Sequence, residues 1–252
     1  MQGFAVRWRE WVFLAKAVLI GTGRMGTVLE GLIAEREGFE LVGKVGFENR
    51  EDLPDSLPAA DVAIDFSARA LTADLCTYAR NCGCAVVSGT TRLGEQELSL
   101  LEELGKSVPV VHSGNYSLGV AVLRRLVAEA ASALPGWDIE IEETHHKKKA
   151  DAPSGTAKML IEAADPEGAC SLVYGREGIV GERPAREIGV HSLRGGTVAG
   201  THEVHFFGTD EELVLTHRAQ SRQIFAEGAL AAAEKLLAKE PGFYSFEDLM
   251  FA

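Results

Sequence analysis

The strongest constraint on the fold is a wholly apolar stretch, Ala17-Val18-Leu19-Ile20, that runs straight into Gly21-Thr22-Gly23-Arg24-Met25-Gly26. A short continuous apolar run suits a strand buried on both faces. The three glycines each meet a separate demand. Gly21 permits a tight turn, Gly23 lets the backbone approach a pyrophosphate, and Gly26 lets the next helix lie close on the strand. Residues 27–37 then show helical spacing, with Val28, Leu29, Leu32 and Ile33 on one face. The whole loop from Gly21 through Thr22, Gly23, Arg24 and Met25 to Gly26 is therefore a candidate dinucleotide site. An acidic partner for the ribose is expected about 20 residues on, at the end of the second strand. Glu48 stands near that place, and Arg50 could instead meet a 2′-phosphate. Both NADH and NADPH remain open.

Strand and helix patterns alternate through the first half. Strands are expected at 16–20, 39–45, 61–66, 85–87 and 108–111, with helices at 27–37, 71–82 and 95–105. That rhythm predicts an α/β fold with a Rossmann-like, doubly wound parallel sheet. Gly89-Thr90-Thr91 follows the fourth strand, at the carboxyl edge where such sheets bind ligands. After Ser113-Gly114-Asn115-Tyr116-Ser117 the pattern changes. A long helix at 119–134 precedes an alternating strand at 137–144, which has Ile139 and Ile141 on one face and Glu140 and Glu142 on the other. A helix at 157–164, strands at 185–193, 203–208 and 212–217, and a final helix at 223–239 complete an α+β domain with a mixed sheet. The expected division is 1–114 with 219–252 for the dinucleotide domain, and 115–218 for a substrate-binding and tetramerisation domain.

Charge and composition exclude some functions. The chain of 252 residues has a formal net charge of −12, which argues against nucleic acid as a partner. Its mean hydropathy is +0.02 and 46% of its residues are hydrophobic, as in water-soluble globular proteins. Cys76, Cys82, Cys84 and Cys170 make no Cys-x-x-Cys pair and suit a reducing, cytoplasmic setting. The apolar run at 11–15 is interrupted by Lys16 and lacks a small-residue cleavage site, so no export signal is read there. No apolar run reaches the roughly 18 residues that a membrane span needs.

Against this acidic background, residues 143–156 read Glu-Thr-His-His-Lys-Lys-Lys-Ala-Asp-Ala-Pro-Ser-Gly-Thr. Adjacent histidines and lysines stand at the end of the alternating strand and lead into a capped helix start. Cations beside a helix N-terminus suit a small, multiply charged anion. Histidine and lysine can also exchange protons near neutral pH. A metal held by His145 and His146 is disfavoured, because adjacent side chains on a strand point to opposite faces. The remaining histidines, His112, His191, His202, His205 and His217, lie in or beside strands and read as structural, with the 217–222 stretch a weaker candidate for the cleft.

The segment from Glu143 to Ala157 resembles the signature of bacterial dihydrodipicolinate reductases, of lysine and diaminopimelate biosynthesis. The likeness extends from about residue 16 to 252. It includes Gly23-Arg24-Met25-Gly26, Asp65-Phe66-Ser67, Gly89-Thr90-Thr91, Asn115-Tyr116-Ser117, His191-Ser192-Leu193-Arg194 and Tyr244-Ser245-Phe246-Glu247. The resemblance implies a homotetrameric NAD(P)H-dependent enzyme that reduces the cyclic dicarboxylate 4-hydroxy-tetrahydrodipicolinate to tetrahydrodipicolinate. It implies His145 as the acid/base group and Lys149 as a proton donor. It further implies His146, Gly155 and Thr156 as carboxylate contacts, and Ser113, Gly114, Asn115 and Tyr116 as cofactor contacts. The glycine loop is one residue shorter than the family's usual Gly-x-x-Gly-Arg-Met-Gly, and Gly46 stands where many relatives have an acidic residue. Residues 1–13 have no counterpart and are expected to be an extension from an upstream start codon. The alternatives are another two-domain NAD(P)-dependent oxidoreductase, of the amino-acid dehydrogenase type, and a non-catalytic dinucleotide-sensing regulator.

Overall fold

The computed structural model describes residues 14–46, 48–53 and 55–251, so the expected extension over 1–13 lies outside them. Contacts divide the chain into two compact units. One runs up to Val110 and takes in Leu236–Phe243; the other comprises Val111–Lys235 and the segment from Tyr244.

The first unit is built on β1 (Ala15–Ile20), α1 (Arg24–Glu35), β2 (Phe39–Val45), β3 (Val62–Asp65), α2 (Thr72–Cys82), β4 (Ala85–Ser88) and α3 (Glu95–Leu104), with β5 (Pro109–His112) at its end. β1 pairs in parallel with β2 and β3, and β3 in parallel with β4. The sheet order is β11-β5-β4-β3-β1-β2, where β11 is Gly242–Tyr244. The chain thus leaves β1 toward one side and returns on the other at β3, and that reversal creates a crevice at the strands' carboxyl ends. Val18, Ile20, Ala63 and Val86 from the sheet pack with Leu75, Tyr78 and Leu101 from the helices. Each such fully buried aliphatic side chain contributes about 1.5–3 kcal/mol relative to exposure.

α1 begins at Arg24, one turn before the apolar spacing suggested. Gly23 takes the N-cap position in an extended conformation, and the Thr27 N–H closes the first helical bond on the Gly23 carbonyl at 2.9 Å. The loop glycines are therefore part of the helix start itself.

The second unit contains α4 (Leu118–Ala133), β6 (Asp138–His145), α5 (Gly155–Ala164), β7 (Ser171–Val173), β8 (Glu187–Arg194), β9 (Gly200–Phe207), β10 (Glu212–Ala219), α6 (Gln223–Leu236) and α7 (Phe246–Phe251). Its five-stranded sheet has the order β10-β9-β6-β8-β7 and is mixed. β6 runs parallel to β8 and antiparallel to β9. Leu123 and Val127 of α4 and Leu160 of α5 pack on Ile141, Ile188, Val204 and Phe206 of the sheet.

The boundary after the second unit differs from the expected crossing at 218. α6 stays with this unit, because its Gly228 lies so near the Tyr116 carbonyl that a Cβ would overlap it. Lys235 also donates to the Met250 carbonyl at 3.2 Å. The short elements β7, β11 and α7 have no sequence periodicity long enough to announce them. Among the described residues no helix is long and apolar enough to cross a membrane.

Candidate functional site

In the first unit the loops after β1, β3 and β4 converge at the sheet's carboxyl edge. Gly21 has φ +106, and a Cβ there would overlap the Phe66 carbonyl. A Cβ on Gly26 would overlap the Gly21 carbonyl oxygen, which is the close helix-to-strand approach that the spacing predicted. A Cβ on Gly23, in contrast, meets nothing within 4 Å. The start of α1 has no side-chain cap, so its first N–H groups have neither a cap nor an intrahelical acceptor. This cradle fits a dinucleotide pyrophosphate. Thr22, Gly23 and Arg24 are exposed and Met25 is partly buried.

The end of β2 is organised by Asn49. Its Oδ1 accepts the Gly46 N–H at 2.8 Å, and its Nδ2 donates to the Lys44 carbonyl at 3.2 Å. A Cβ on Gly46 would run into the Thr22 side chain, so a side chain at 46 would have to displace Thr22. Glu48 is exposed just beyond.

Asp65 ties β3 to β4. Buried at 2% exposure, it accepts the Thr90 hydroxyl at 2.7 Å, the Ser67 N–H at 3.1 Å and the Ser67 hydroxyl. Burial raises its carboxyl above the usual range, against the pull of these donors. Thr90 Oγ1 in turn accepts the Ser67 N–H at 2.9 Å. Gly89 lies against the Phe66 ring, leaving no room for a Cβ, and Thr91 is exposed.

In the second unit β6 alternates as expected, and it delivers His145, 9% exposed, at its last position. Two residues earlier on the same face is Glu143, fully buried. His145 Nδ1 lies 2.5 Å from Glu143 Oε2. Arg194, opposite His145 in the β8 register, donates to the same carboxylate from Nη1 at 2.9 Å and Nη2 at 2.7 Å. Burial alone would raise the Glu143 carboxyl; the bonds from His145 and Arg194 outweigh it and hold the group at about 2.

The helix start at α5 lies against this cluster. Glu143 Oε1 accepts the Ser154 N–H at 3.1 Å. Ser154 is the N-cap and its hydroxyl takes the Ala157 N–H at 3.1 Å. The N–H groups of Gly155 and Thr156 lie in the first turn of α5, before any intrahelical acceptor. Asn115 Nδ2 donates to Thr156 Oγ1 at 2.8 Å, so two residues expected to serve different ligands are joined. Ser113 Oγ donates to the Asn115 carbonyl at 2.7 Å, and Tyr116, fully buried, donates to the Val111 carbonyl at 3.2 Å. The Tyr116 side chain is thus turned into the core, while Gly114 is exposed.

The basic run divides. Lys149 pairs with Asp151 at 2.9 Å and is mostly buried, whereas Lys147 and Lys148 are exposed. His146 Nε2 lies 3.1 Å from Arg222 Nη2. Arginine can only donate, so that nitrogen accepts and the ring is neutral. Burial, with the Arg222 cation beside it, lowers the His146 pKa accordingly. No group of three or more His, Cys, Asp or Glu side chains that could hold a metal occurs among the described residues.

The profile for the family described as "Dihydrodipicolinate reductase, N-terminus" matches residues 15–116, and that for "Dihydrodipicolinate reductase, C-terminus" matches residues 119–250. The chain belongs to the dihydrodipicolinate reductase family. A 4-hydroxy-tetrahydrodipicolinate reductase of Caldanaerobacter subterraneus subsp. tengcongensis is 44% identical over 238 residues, covering 90% of this chain and 94% of that protein. One of Staphylococcus aureus (strain MRSA252) is 42% identical and is covered along 100% of its length, with 93% of this chain. A dipicolinate-bound dihydrodipicolinate reductase from Paenisporosarcina sp. TG-14 superposes with a TM-score of 0.75 at 21% identity, over 93% of this chain and 99% of that one. That likeness is one of fold.

Within this dihydrodipicolinate reductase architecture, several residues escaped the sequence reading. Glu143 opens the basic segment without an assigned role, although its position on the Ile139–Ile141 face was a signal of burial. His202 of β9 packs edge-on against His145, ring centroids 5.1 Å apart, and its Nε2 lies 3.0 Å from the Ser154 hydroxyl. Burial, with His145 nearby, depresses the His202 pKa to about 3. Nothing local in the sequence marks His202 or Arg194 as neighbours of His145; strand pairing brings them there.

Proposed function

We propose that this chain is an NAD(P)H-dependent oxidoreductase that converts 4-hydroxy-tetrahydrodipicolinate, with loss of water, to tetrahydrodipicolinate in lysine and diaminopimelate biosynthesis. The observation that carries the reading is the pairing of a proton-exchanging histidine, His145, with an anion-binding helix start at Gly155–Thr156 through the one carboxylate of Glu143. A cyclic dicarboxylate needs both an anchor for its charge and a nearby proton donor.

The glycine loop Gly21–Gly26, with Glu48, Gly89, Thr90, Thr91 and Ser113–Tyr116, is the proposed dinucleotide contact set. A bound nicotinamide supplies a hydride to the ring carbon. The chain's own residues do the rest. Gly155 and Thr156 hold one carboxylate by backbone N–H groups, with Thr156 itself held by Asn115. His146, backed by the Arg222 guanidinium, meets the other carboxylate. His145 and Lys149 supply the proton that the reduced conjugated system takes up. Lys149 is held by its pair with Asp151 at 2.9 Å.

The first unit is read as the dinucleotide domain and the second as the substrate domain. We infer a homotetramer in the cytoplasm. Exposed apolar side chains Tyr174, Ile179 and Val180 in the second unit support association, and four free cysteines suit a reducing compartment.

The test is to follow reduced-nicotinamide absorbance with freshly made dihydrodipicolinate synthase product as substrate. Turnover with either nicotinamide is expected. Cofactor binding without turnover would favour a sensing protein instead. His145→Ala and Lys149→Ala should each lower kcat by about 10²–10⁴-fold with cofactor affinity unchanged; full kcat in either removes that residue from the chemistry.

A further inference from the structure

We propose that Glu143 is a positioning residue for His145, fixing the ring in the tautomer with its proton on Nδ1 and leaving Nε2 as the nitrogen that exchanges a proton with the reactant. The proposal rests on the reading of His145 as the acid/base group.

The geometry supplies the reasons. Residues two apart on a strand share a face, so Glu143 and His145 are both turned inward at the end of β6. The Glu143 carboxylate is fully buried and accepts four bonds, two on each oxygen: Oε2 from His145 at 2.5 Å and Arg194 at 2.9 Å, Oε1 from Arg194 at 2.7 Å and Ser154 N–H at 3.1 Å. Arginine and the backbone N–H can only donate, and a carboxylate paired bidentately with a guanidinium is an acceptor. The proton in the His145–Glu143 bond therefore belongs to Nδ1. A free imidazole in water favours the other tautomer, so the protein imposes this one.

The carboxylate is itself held from outside the pair. Arg194 is anchored by donating to the Asp151 carbonyl and the Leu193 carbonyl, each at 2.7 Å. An ion pair of Glu143 and Arg194 alone would be electrically complete, and the bond to His145 is additional to it. On its far side His145 Nε2 lies against Gly200, where a Cβ would stand 3.1 Å away, so glycine at 200 spares that nitrogen from crowding. Of the other titratable groups near the ring, His202 from β9 packs edge-on against it and is held neutral by burial, and the adjacent His146 interacts electrostatically with it; Lys149 and Asp151 of the following loop pair with each other.

Two measurements test the idea. First, ring-nitrogen NMR of histidine-labelled wild-type enzyme, with His145 assigned by its loss in His145→Asn, should show a protonated Nδ1 and a bare Nε2 in the neutral ring. A protonated Nε2 would overturn the proposal without any change to Glu143. Second, Glu143→Gln/Arg194→Met removes both members of the buried ion pair and so avoids an unpaired guanidinium. Relative to Arg194→Met alone it should lose at least about tenfold in kcat, with the cofactor KM unchanged. Equal kcat in the two, both folded by circular dichroism, sinks it; should the double variant fail to fold, the wild-type tautomer decides. Full kcat in His145→Asn would instead defeat the reading of His145, while the NMR result still reports on the Glu143 bond.

Discussion

Asn115 donates from Nδ2 to Thr156 Oγ1 at 2.8 Å, joining the segment before α4 to the first turn of α5. Asn115 is itself fixed, because its Oδ1 accepts the Ser117 N–H at 2.8 Å and its N–H meets Ser113 Oγ at 3.1 Å. The hydroxyl of Thr156 is thereby oriented before any ligand arrives, which lowers the ordering cost of binding.

Asn115→Ala should consequently raise the substrate KM about tenfold, near 1.4 kcal/mol, with a smaller effect on the KM of the dinucleotide. Steady-state kinetics with each substrate varied in turn give the comparison. An increase confined to the dinucleotide KM would restore Asn115 to a purely cofactor role.

The glycine loop offers a contrast between two alanine substitutions. At Gly26 the added Cβ overlaps the Gly21 carbonyl, so Gly26→Ala should unfold at a clearly lower temperature. At Gly23 the Cβ meets nothing within 4 Å and φ is −75, so Gly23→Ala should melt like the parent while binding NADH more weakly. Thermal denaturation and quenching of NADH fluorescence read the two effects; equal NADH affinity in Gly23→Ala would remove the pyrophosphate from that spot.

His202 makes stability depend on pH. Its folded pKa, about 3, lies below the ordinary 6.5. The unfolded chain therefore binds this proton first as pH falls, and stability present above pH 6.5 is lost progressively down toward pH 3. The loss between pH 7 and pH 5 should be about 2 kcal/mol. Urea unfolding of wild type and His202→Gln at both pH values checks it: the slope should flatten in the variant, which no longer titrates, and an unchanged slope assigns the loss to other groups.

Asp65 accepts the hydroxyls of Thr90 and Ser67 and shares the Ser67 N–H with Thr90 Oγ1 at the ends of β3 and β4. Asp65→Ala leaves these donors without it, at about 1–3 kcal/mol for each group that finds no substitute. A melting temperature lower by several degrees is expected, with weaker NADH binding, because Gly89 and Thr90 lose their anchor. A variant that melts and binds like wild type would show that water replaces the carboxylate.

The apolar run before Gly21, the glycine spacing and the strand–helix rhythm determined the first unit from local sequence alone. They could do so because a buried parallel strand and the helix that crosses it each leave a periodic trace. The alternation of β6 likewise put Glu143 and His145 on one face, and Asp-Ala-Pro-Ser-Gly-Thr announced the start of α5. Only the tertiary structure decided who meets these residues. The parallel register that sets Arg194 opposite His145, and the antiparallel one that carries His202 beside it, join segments far apart in the chain, and side-chain periodicity is blind to which strands pair. The same blindness hid α6 within the second unit, where a missing Cβ at Gly228 lets the helix close on the Tyr116 carbonyl. Sequence placed a proton-exchanging histidine at a strand end; the fold gave it a buried carboxylate, and with it a defined tautomer.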